Sequence, residues 1–156
     1  MHVKSEPSAF WLGWRCILGL AASSKTAHNM MLTSECVLNL PSVKEVAAID
    51  RLARTTGSNP VPESKMRKGY RHEFDKFGIA ALTPAVSETV GPPRVRECPV
   101  QLEAIVEATH RIAEKDSRQS GNLVCIEVRI QRVQVEESIL MSGESNPRVQ
   151  VSKPRC

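Results

Sequence analysis

The sequence predicts a β-rich, mainly antiparallel domain with one or two short helices, and three observations support this fold class. Apolar and polar residues alternate along residues 12–22, 100–109 and 124–131, which is the period of strands with one buried face. The clearest helical period is confined to residues 43–54. The length of 156 residues fits one domain, and the 41% apolar content allows a substantial core. We therefore expect a single folded domain rather than a disordered chain.

The first strand is predicted over residues 12–22. Its buried face consists of alternate residues: Leu12, Trp14, Cys16, Leu18, Leu20 and Ala22. The wider run Ala9–Ala22, which follows Lys4, resembles a signal peptide. However, Arg15 lies at its centre, and the run is shorter than a membrane span, which needs about 20 apolar residues. We therefore interpret it as a strand and expect no membrane segment.

The segment that follows this strand has the composition of an anion-binding helix start. It contains hydroxyl, amide and cationic side chains: Ser23, Ser24, Lys25, Thr26 and Asn29. Apolar residues 30–32 then indicate a short helix. Free N–H groups at a helix start, together with hydroxyls and a lysine, suit a phosphate group. A serine at this place also commonly caps a helix without binding anything, and the spacing alone favours that simpler interpretation.

A short strand and an amphipathic helix are predicted next. Residues 35–41 alternate and stop at Pro41. Ser42 and Glu45 have the spacing of a capping box, and the apolar residues of 43–54 recur at helical intervals. We expect this helix to lie on the sheet.

Residues 55–73 have the composition of a loop, with Gly57, Pro60, Pro62 and Gly69 among many charged residues. Loops of this length in compact domains are usually mobile or functional. Rings and charges near its end are candidates to line a ligand pocket: Tyr70, His72, Phe74, Asp75, Lys76 and Phe77.

The second half of the chain predicts two long strands that form a hairpin. Residues 100–108 have one buried face, and a polar turn over 114–121 separates them from the apolar alternation that begins at Val124. At Arg132 the apolar parity reverses. One extra residue in a strand is a bulge, and bulges bend strands where sheets close into barrels. We therefore expect a curled hairpin, followed by a loose tail from residue 142.

Composition and motifs argue against several classes of function. The net charge of +4 is spread along the chain and predicts solubility rather than nucleic-acid binding; Lys65–Arg71 and Arg129–Arg132 are better explained as a solvated loop and the outer face of a strand. The five cysteines include no C-x-x-C pair, which fits free thiols in a reducing cytoplasm.

Metal and catalytic motifs are also missing from the sequence. His72, Glu73 and Asp75 have no second ligand cluster at a recognisable spacing, so we expect no metal site. The chain has no P-loop and no G-x-G-x-x-G motif. A Ser-His-Asp triad stays open, although there is no G-x-S-x-G elbow.

Three stretches of the chain carry a family resemblance: SAFWLGWRCILGLAASSKTAHNMMLTSECVLNLPS (8–42), GYRHEFDKFGIAALTP (69–84) and VGPPRVRECPVQLEAIVEATH (90–110). In this order, they resemble the FMN-binding split barrels of the flavin reductase-like family. The resemblance implies a flavin reductase-like domain over residues 8–141, between an N-terminal remnant, 1–7, and a loose tail, 142–156. Family members usually open with an additional strand pair and continue further at the C-terminus, so we expect this chain to lack both.

The resemblance also implies a function and a set of binding residues. Such proteins are Greek-key-like split barrels that pair as homodimers, with FMN at the dimer interface, and they pass hydride from NADH or NADPH to the flavin. The resemblance implies that the phosphate and ribityl end of FMN is held by Ser24, Lys25, Thr26 and Asn29, beside Ser23. It implies that the isoalloxazine ring is flanked by Ser8, Ala9 and Phe10. It also implies that Lys76 and Phe77 approach the ring from the 70s loop. No side chain need act as an acid or base, because the cofactor carries the chemistry. The alternative is a barrel without flavin that serves as a structural or interaction module.

Overall fold

The structure is a computed structural model that describes residues 8–140 and 149–152. Its elements, in chain order, are β1 (Ser8–Leu12), β2 (Arg15–Ala21), α1 (Lys25–Thr33), β3 (Glu35–Leu40), a 3-10 turn (Val43–Glu45), α2 (Val46–Leu52), β4 (Thr55–Thr56), α3 (Glu63–Met66), β5 (Arg71–His72), α4 (Lys76–Ala80), β6 (Pro84–Ala85), β7 (Arg94–Val95), β8 (Val100–Arg111), β9 (Leu123–Glu136), a second 3-10 turn (Glu137–Ile139) and β10 (Val149–Ser152).

One sheet dominates the fold and confirms the predicted β-rich, mainly antiparallel class. Its strands lie in the order β1-β2-β9-β8-β3, and each neighbouring pair is antiparallel. The short strand β10 pairs with the last part of β9 in parallel. The strands β8 and β9 form the predicted long hairpin, which is the centre of the sheet.

The sheet curls so that β2 and β3, which are not hydrogen-bonded neighbours, meet across the core. Cys16 of β2 and Cys36 of β3 are both buried in one apolar cluster. Burial raises the pKa of the Cys36 thiol to about 12, and the nearby Cys16 contributes to this shift. Ala27 and Met30 of α1 pack into the same core. The helix that begins at the end of β2 is therefore anchored to the barrel by its apolar side.

The segment predicted as one strand over residues 12–22 contains the end of β1, a turn and the whole of β2. Leu12 pairs with Arg15, so that Gly13 and Trp14 form a two-residue turn between β1 and β2. Gly13 has φ +59°, which glycine adopts without steric cost. The alternation predicted the buried residues of β2 correctly, but a tight turn does not interrupt a period of two, so the pattern did not reveal it.

Gly13→Ala should destabilise the domain by about 1–2 kcal/mol, because an L-residue in the left-handed region places its Cβ too close to the following carbonyl. Urea unfolding followed by tryptophan fluorescence would measure the loss. An alanine-to-glycine change at a second position with positive φ provides the control. Ala81 ends α4 with φ +53°, so Ala81→Gly should stabilise the domain. Equal midpoints for wild type and Gly13→Ala would contradict this account of the turn.

The predicted bulge in the last long strand is confirmed, one residue earlier than expected. Glu103 pairs with Arg132 and Ala104 pairs with Ile130, which leaves Gln131 as the extra residue. As a result Ile130 and Val133 both point into the core despite the odd spacing. A second irregularity, in which Glu107 is the extra residue on β8, was not predicted.

The helix predicted over residues 43–54 is a 3-10 turn followed by α2. The capping box is confirmed, since the N–H of Ser42 donates to Glu45 Oε2 at 2.7 Å and the N–H of Lys44 donates to Ser42 Oγ at 3.2 Å. This helix was expected to lie on the sheet, but α2 packs chiefly against the helix α4. Ala48 is the buried residue of α2, whereas the side chain of Val43 is 87% exposed.

A buried polar network covers the outer side of β8, where one solvent-facing row was expected. Glu103 is fully buried and accepts hydrogen bonds from the N–H groups of Glu88 and Thr89, at 3.0 and 2.6 Å, and from the Thr89 hydroxyl at 2.7 Å. The Arg94 guanidinium lies 3.3 Å from the same carboxylate and also donates to Gln101. This network fastens residues 86–98 over the sheet, which explains why both faces of β8 are buried there.

Within the described parts of the chain, none of the helices is long and apolar enough to cross a membrane.

Candidate functional site

A cavity of about 410 Å³ lies beside the start of α1. One wall is the junction between β2 and α1, and the other is the first part of the segment after β4. The lining residues are Ala22, Ser23, Ser24, Lys25, His28, Gly57, Ser58, Asn59 and Pro60. The cavity is thus formed by two segments that are about 30 positions apart in sequence.

The start of α1 is both capped and equipped with unused donors. Ser24 adopts an extended conformation and its Oγ accepts the N–H of Ala27 at 3.1 Å, which confirms the simpler capping interpretation. The N–H groups of Lys25 and Thr26 have no acceptor within the part of the chain that the structure describes. Since these groups lie at the positive end of the helix dipole, the cap leaves room for an anion.

The opposite wall is held in place by β4 and the residues around it. The Thr56 side chain is buried, and its Oγ1 is 3.3 Å from both the N–H of Ser58 and Lys65 Nζ. The carbonyl of Thr56 accepts the N–H of Glu73 at 2.9 Å. Lys65 Nζ also lies 6.0 Å from the centre of the Tyr70 ring. These contacts make the wall a fixed surface rather than a free loop.

Two lysines contact this wall. Lys25 lies against Gly57, and Lys65 reaches Thr56. Partial burial lowers the pKa of Lys76, and the nearby charge of Lys65 lowers it further, whereas Glu73 opposes the shift. Lys65 and Lys76 thus repel each other next to this wall, but Lys25 is the lysine that lines the cavity itself.

The comparisons with known proteins decide the family. The model of the flavin reductase-like domain matches residues 2–143. The chain belongs to the flavin reductase-like family. The uncharacterized protein YdfE of Bacillus subtilis (strain 168) is 33% identical over 140 residues, a match that covers 90% of this chain and 65% of YdfE.

Solved structures agree with the split-barrel fold of the flavin reductase-like family. The flavoredoxin from Methanosarcina acetivorans has a TM-score of 0.64 at 18% identity, covering 89% of this chain and 62% of its own. Nitrilotriacetate monooxygenase component B from Bacillus cereus has a TM-score of 0.63 at 20% identity, and the match covers 83% of this chain and 58% of the monooxygenase component. At such identities the similarity shows the fold alone. The chain spans less than two thirds of the length of each of these relatives.

The residues that the family resemblance implied for the phosphate end are divided by the structure. Ser23, Ser24 and Lys25 line the cavity. Thr26 and Asn29 lie on the same helix with exposed side chains, but they do not line it. The binding roles of all five remain predictions.

The residues implied for the flavin ring lie on two separate elements. Ser8 pairs with Gly19, so the start of β1 lies beside the end of β2, close to the helix start. Phe10 is 64% exposed on this strand. Lys76 and Phe77 begin α4, which is capped by a hydrogen bond from the N–H of Gly78 to Asp75 Oδ1 at 2.8 Å. The structure does not place α4 in the wall of the cavity, and the proposed contacts with a ring remain predictions.

Sequence reasoning missed His28 and residues 57–60 as parts of the site. The available signal is the Gly and Pro content of residues 55–73, which predicts a long loop of the kind that is usually mobile or functional. It did not show that the first residues of this loop, rather than the last, would face Lys25. Across residues 8–140 and 149–152, no three His, Cys, Asp or Glu side chains are grouped to hold a metal ion.

A second cavity, of about 430 Å³, lies at the C-terminal end of β1 and the turn that follows it. Its lining is almost entirely apolar: Trp11, Gly13, Trp14, Leu40, Leu102, Ile130 and Val133. It offers no charged group to an anion, so the cavity beside α1 is the better candidate for a phosphorylated ligand.

Proposed function

We propose that the chain binds FMN in the cavity beside α1 and acts as a flavin-dependent oxidoreductase that passes hydride from NADH or NADPH to the flavin. The observation that carries the proposal is the helix start itself. The Lys25 side chain and the first turn of α1, whose Lys25 and Thr26 N–H groups have no acceptor among the described residues, lie beside the cavity that Ser23, Ser24 and Lys25 line, in a chain of the flavin reductase-like family. A phosphate monoester needs such a combination of donors and positive charge.

The residues present fit the cofactor. The Lys25 side chain and the N–H groups of the first turn of α1 would hold the phosphate, together with the hydroxyl of Ser23, which also lines the cavity. The start of β1, with Ala9 and Phe10, would provide an apolar surface for the ring, as it lies at the same end of β2. FMN, when bound, supplies the ring that accepts the hydride. The chain's own part is to bind and orient the cofactor and to keep water from the ring.

A homodimer belongs to the same proposal. Phe10, Trp11 and Leu12 of β1 are exposed apolar side chains at the edge of the sheet, a surface that a second copy of the chain would cover. Sedimentation of the protein with and without FMN would test this.

A cytoplasmic location is also proposed, in keeping with the buried free thiols Cys16, Cys36 and Cys98.

Flavin titration tests the proposed function directly. Added FMN should bind with a dissociation constant of about 1 μM or below. It should quench tryptophan fluorescence, because Trp11 lies on β1, the strand proposed for the ring, and Trp14 lies in the turn that follows it. Riboflavin, which lacks the phosphate, should bind more weakly. NADH or NADPH should then bleach the flavin absorption of the complex under anaerobic conditions. A protein that leaves the FMN spectrum and its own fluorescence unchanged would instead be a structural or interaction module.

A further inference from the structure

We propose that Gly57 is a positioning residue, which leaves the space that Lys25 needs to reach the phosphate of the ligand. The inference rests on the proposed function and extends it, because it assigns a role to a residue of the opposite wall of the cavity. It also predicts which property of the site depends on that residue, namely the preference for a phosphorylated flavin.

The backbone at Gly57 does not itself require glycine. The described glycines with positive φ are Gly13, Gly69 and Gly121, and Gly57 is not among them. Any L-residue could adopt its backbone conformation. Backbone conformation therefore gives no reason for a glycine here, and the space around it is the remaining structural feature.

The space in question belongs to Lys25. A Cβ added to Gly57 would lie 3.3 Å from Lys25 Cγ and 3.7 Å from Lys25 Cβ, and these are its nearest neighbours. Both residues line the same cavity. The stem of Lys25 thus runs directly over Gly57 on its way from the helix start. A contact of 3.3 Å is tighter than ordinary packing, so one of the two segments would have to move.

The Lys25 side chain would move, because the segment that contains Gly57 is fixed. The preceding Thr56 is only 3% exposed, and its backbone and side chain are hydrogen-bonded to Glu73, Ser58 and Lys65. Lys25, in contrast, has four rotatable bonds and an exposed position. A methyl group at residue 57 would therefore displace the lysine stem by a few tenths of an ångström and turn its ammonium group away from its present place.

Affinities for FMN and riboflavin in Gly57→Ala and Gly57→Val would test the proposal. We expect FMN to bind about three- to tenfold more weakly to Gly57→Ala, a fraction of what a charge-assisted hydrogen bond contributes, and still more weakly to Gly57→Val. Riboflavin affinity should not change. The melting temperature should stay the same or rise slightly for Gly57→Ala, because alanine restricts the unfolded chain. A merely structural defect would weaken both flavins and lower the melting temperature.

Two controls make the test specific. Gly91→Ala places a Cβ at a similar distance, 3.2 Å from Glu35 Oε2, but away from the cavity, and should alter neither affinity. In a Lys25→Ala background, Gly57→Ala should have no further effect on FMN binding. If Gly57→Ala weakens FMN by the same factor with and without Lys25, or weakens riboflavin equally, the proposal is wrong.

A measurement without flavin separates this proposal from the proposed function. In protein with ¹³C-labelled lysine, the Lys25 side-chain signals, assigned through Lys25→Ala, should shift in Gly57→Ala and stay in place in Gly91→Ala. If the signals shift but FMN does not bind, the positioning role stands and the flavin function fails. If they do not shift, the positioning role fails, whatever the flavin affinity.

Discussion

Glu103→Ala should destabilise the domain by about 3–5 kcal/mol, the loss expected when one partner of a buried ion pair is removed. The change would leave the Arg94 guanidinium, which is mostly buried, without its carboxylate. It would also leave the N–H groups of Glu88 and Thr89 without an acceptor. Such a loss is a large fraction of the stability of a typical domain, about 5–15 kcal/mol. Urea unfolding at pH 7 would measure it.

Two variants show whether burial and charge cause the effect. Glu107→Ala removes another carboxylate of β8, one that bridges Arg15 and Arg129 on the solvent side of the sheet, and should cost much less. Glu103→Gln keeps one acceptor oxygen and should fall between wild type and Glu103→Ala. Similar losses for Glu103→Ala and Glu107→Ala would mean that the buried network does not hold residues 86–98 in place.

The same carboxylate should make stability depend on pH. Burial by itself raises the pKa of Glu103, but the hydrogen bonds from Thr89 and Glu88 and the charge of Arg94 outweigh it and lower the pKa. Its stabilising effect is therefore complete above the pKa of an unfolded glutamate, about 4.3, and is lost as the pH falls through the lower pKa of the folded state. Between pH 5 and pH 3 the melting temperature of wild type should fall more steeply than that of Glu103→Gln.

Replacing both Lys25 and Thr26 with alanine should weaken FMN binding by about 10- to 100-fold and riboflavin binding hardly at all, since charge-assisted hydrogen bonds contribute about 1.5–3 kcal/mol each. Lys25 lines the cavity, whereas Thr26 does not, so Lys25→Ala alone should account for most of the loss. Isothermal titration with each flavin would give both affinities.

The matched control for this experiment is Lys44→Ala, which removes an exposed lysine from the 3-10 turn before α2, outside the cavity beside α1. It changes the net charge by the same amount, and it should leave both affinities unchanged at moderate salt. Equal losses of FMN and riboflavin in the double variant would show that the start of α1 is a helix cap and not a phosphate site.

Features that depend on neighbouring residues could be predicted from the sequence. The alternation in β8 and β9, the parity change that marks the bulge at Gln131, and the capping box of Ser42 and Glu45 each lie within a few residues. A local pattern is sufficient for them, because the pleat of a strand and the first turn of a helix impose their own periods.

Features that depend on distant residues could not be predicted in the same way. The period of β8 shows that Glu103 and Ala104 point to opposite faces, but only the fold shows that residues 86–98 cover the face of Glu103. Likewise, nothing near Gly57 in the sequence indicates that Lys25 lies against it. The sequence therefore predicts one wall of the candidate site, the start of α1, which has a local signature. It does not predict the opposite wall, which has none.

The pairing of β2 with β9 has a consequence for the synthesis of the protein. Ala21 of β2 pairs with Leu123 of β9, roughly a hundred residues later in the chain. At about 5–20 residues per second, the ribosome would take about 5–20 seconds to deliver the partner strand after β2 has been made. During that interval Leu18 and Leu20, which are buried in the folded protein, lack β9, the strand that pairs with β2 on the side away from β1 and brings Val124 and Ile126 into the core. The nascent chain should therefore be a substrate for chaperones that bind short apolar segments, and its soluble yield should depend on their supply.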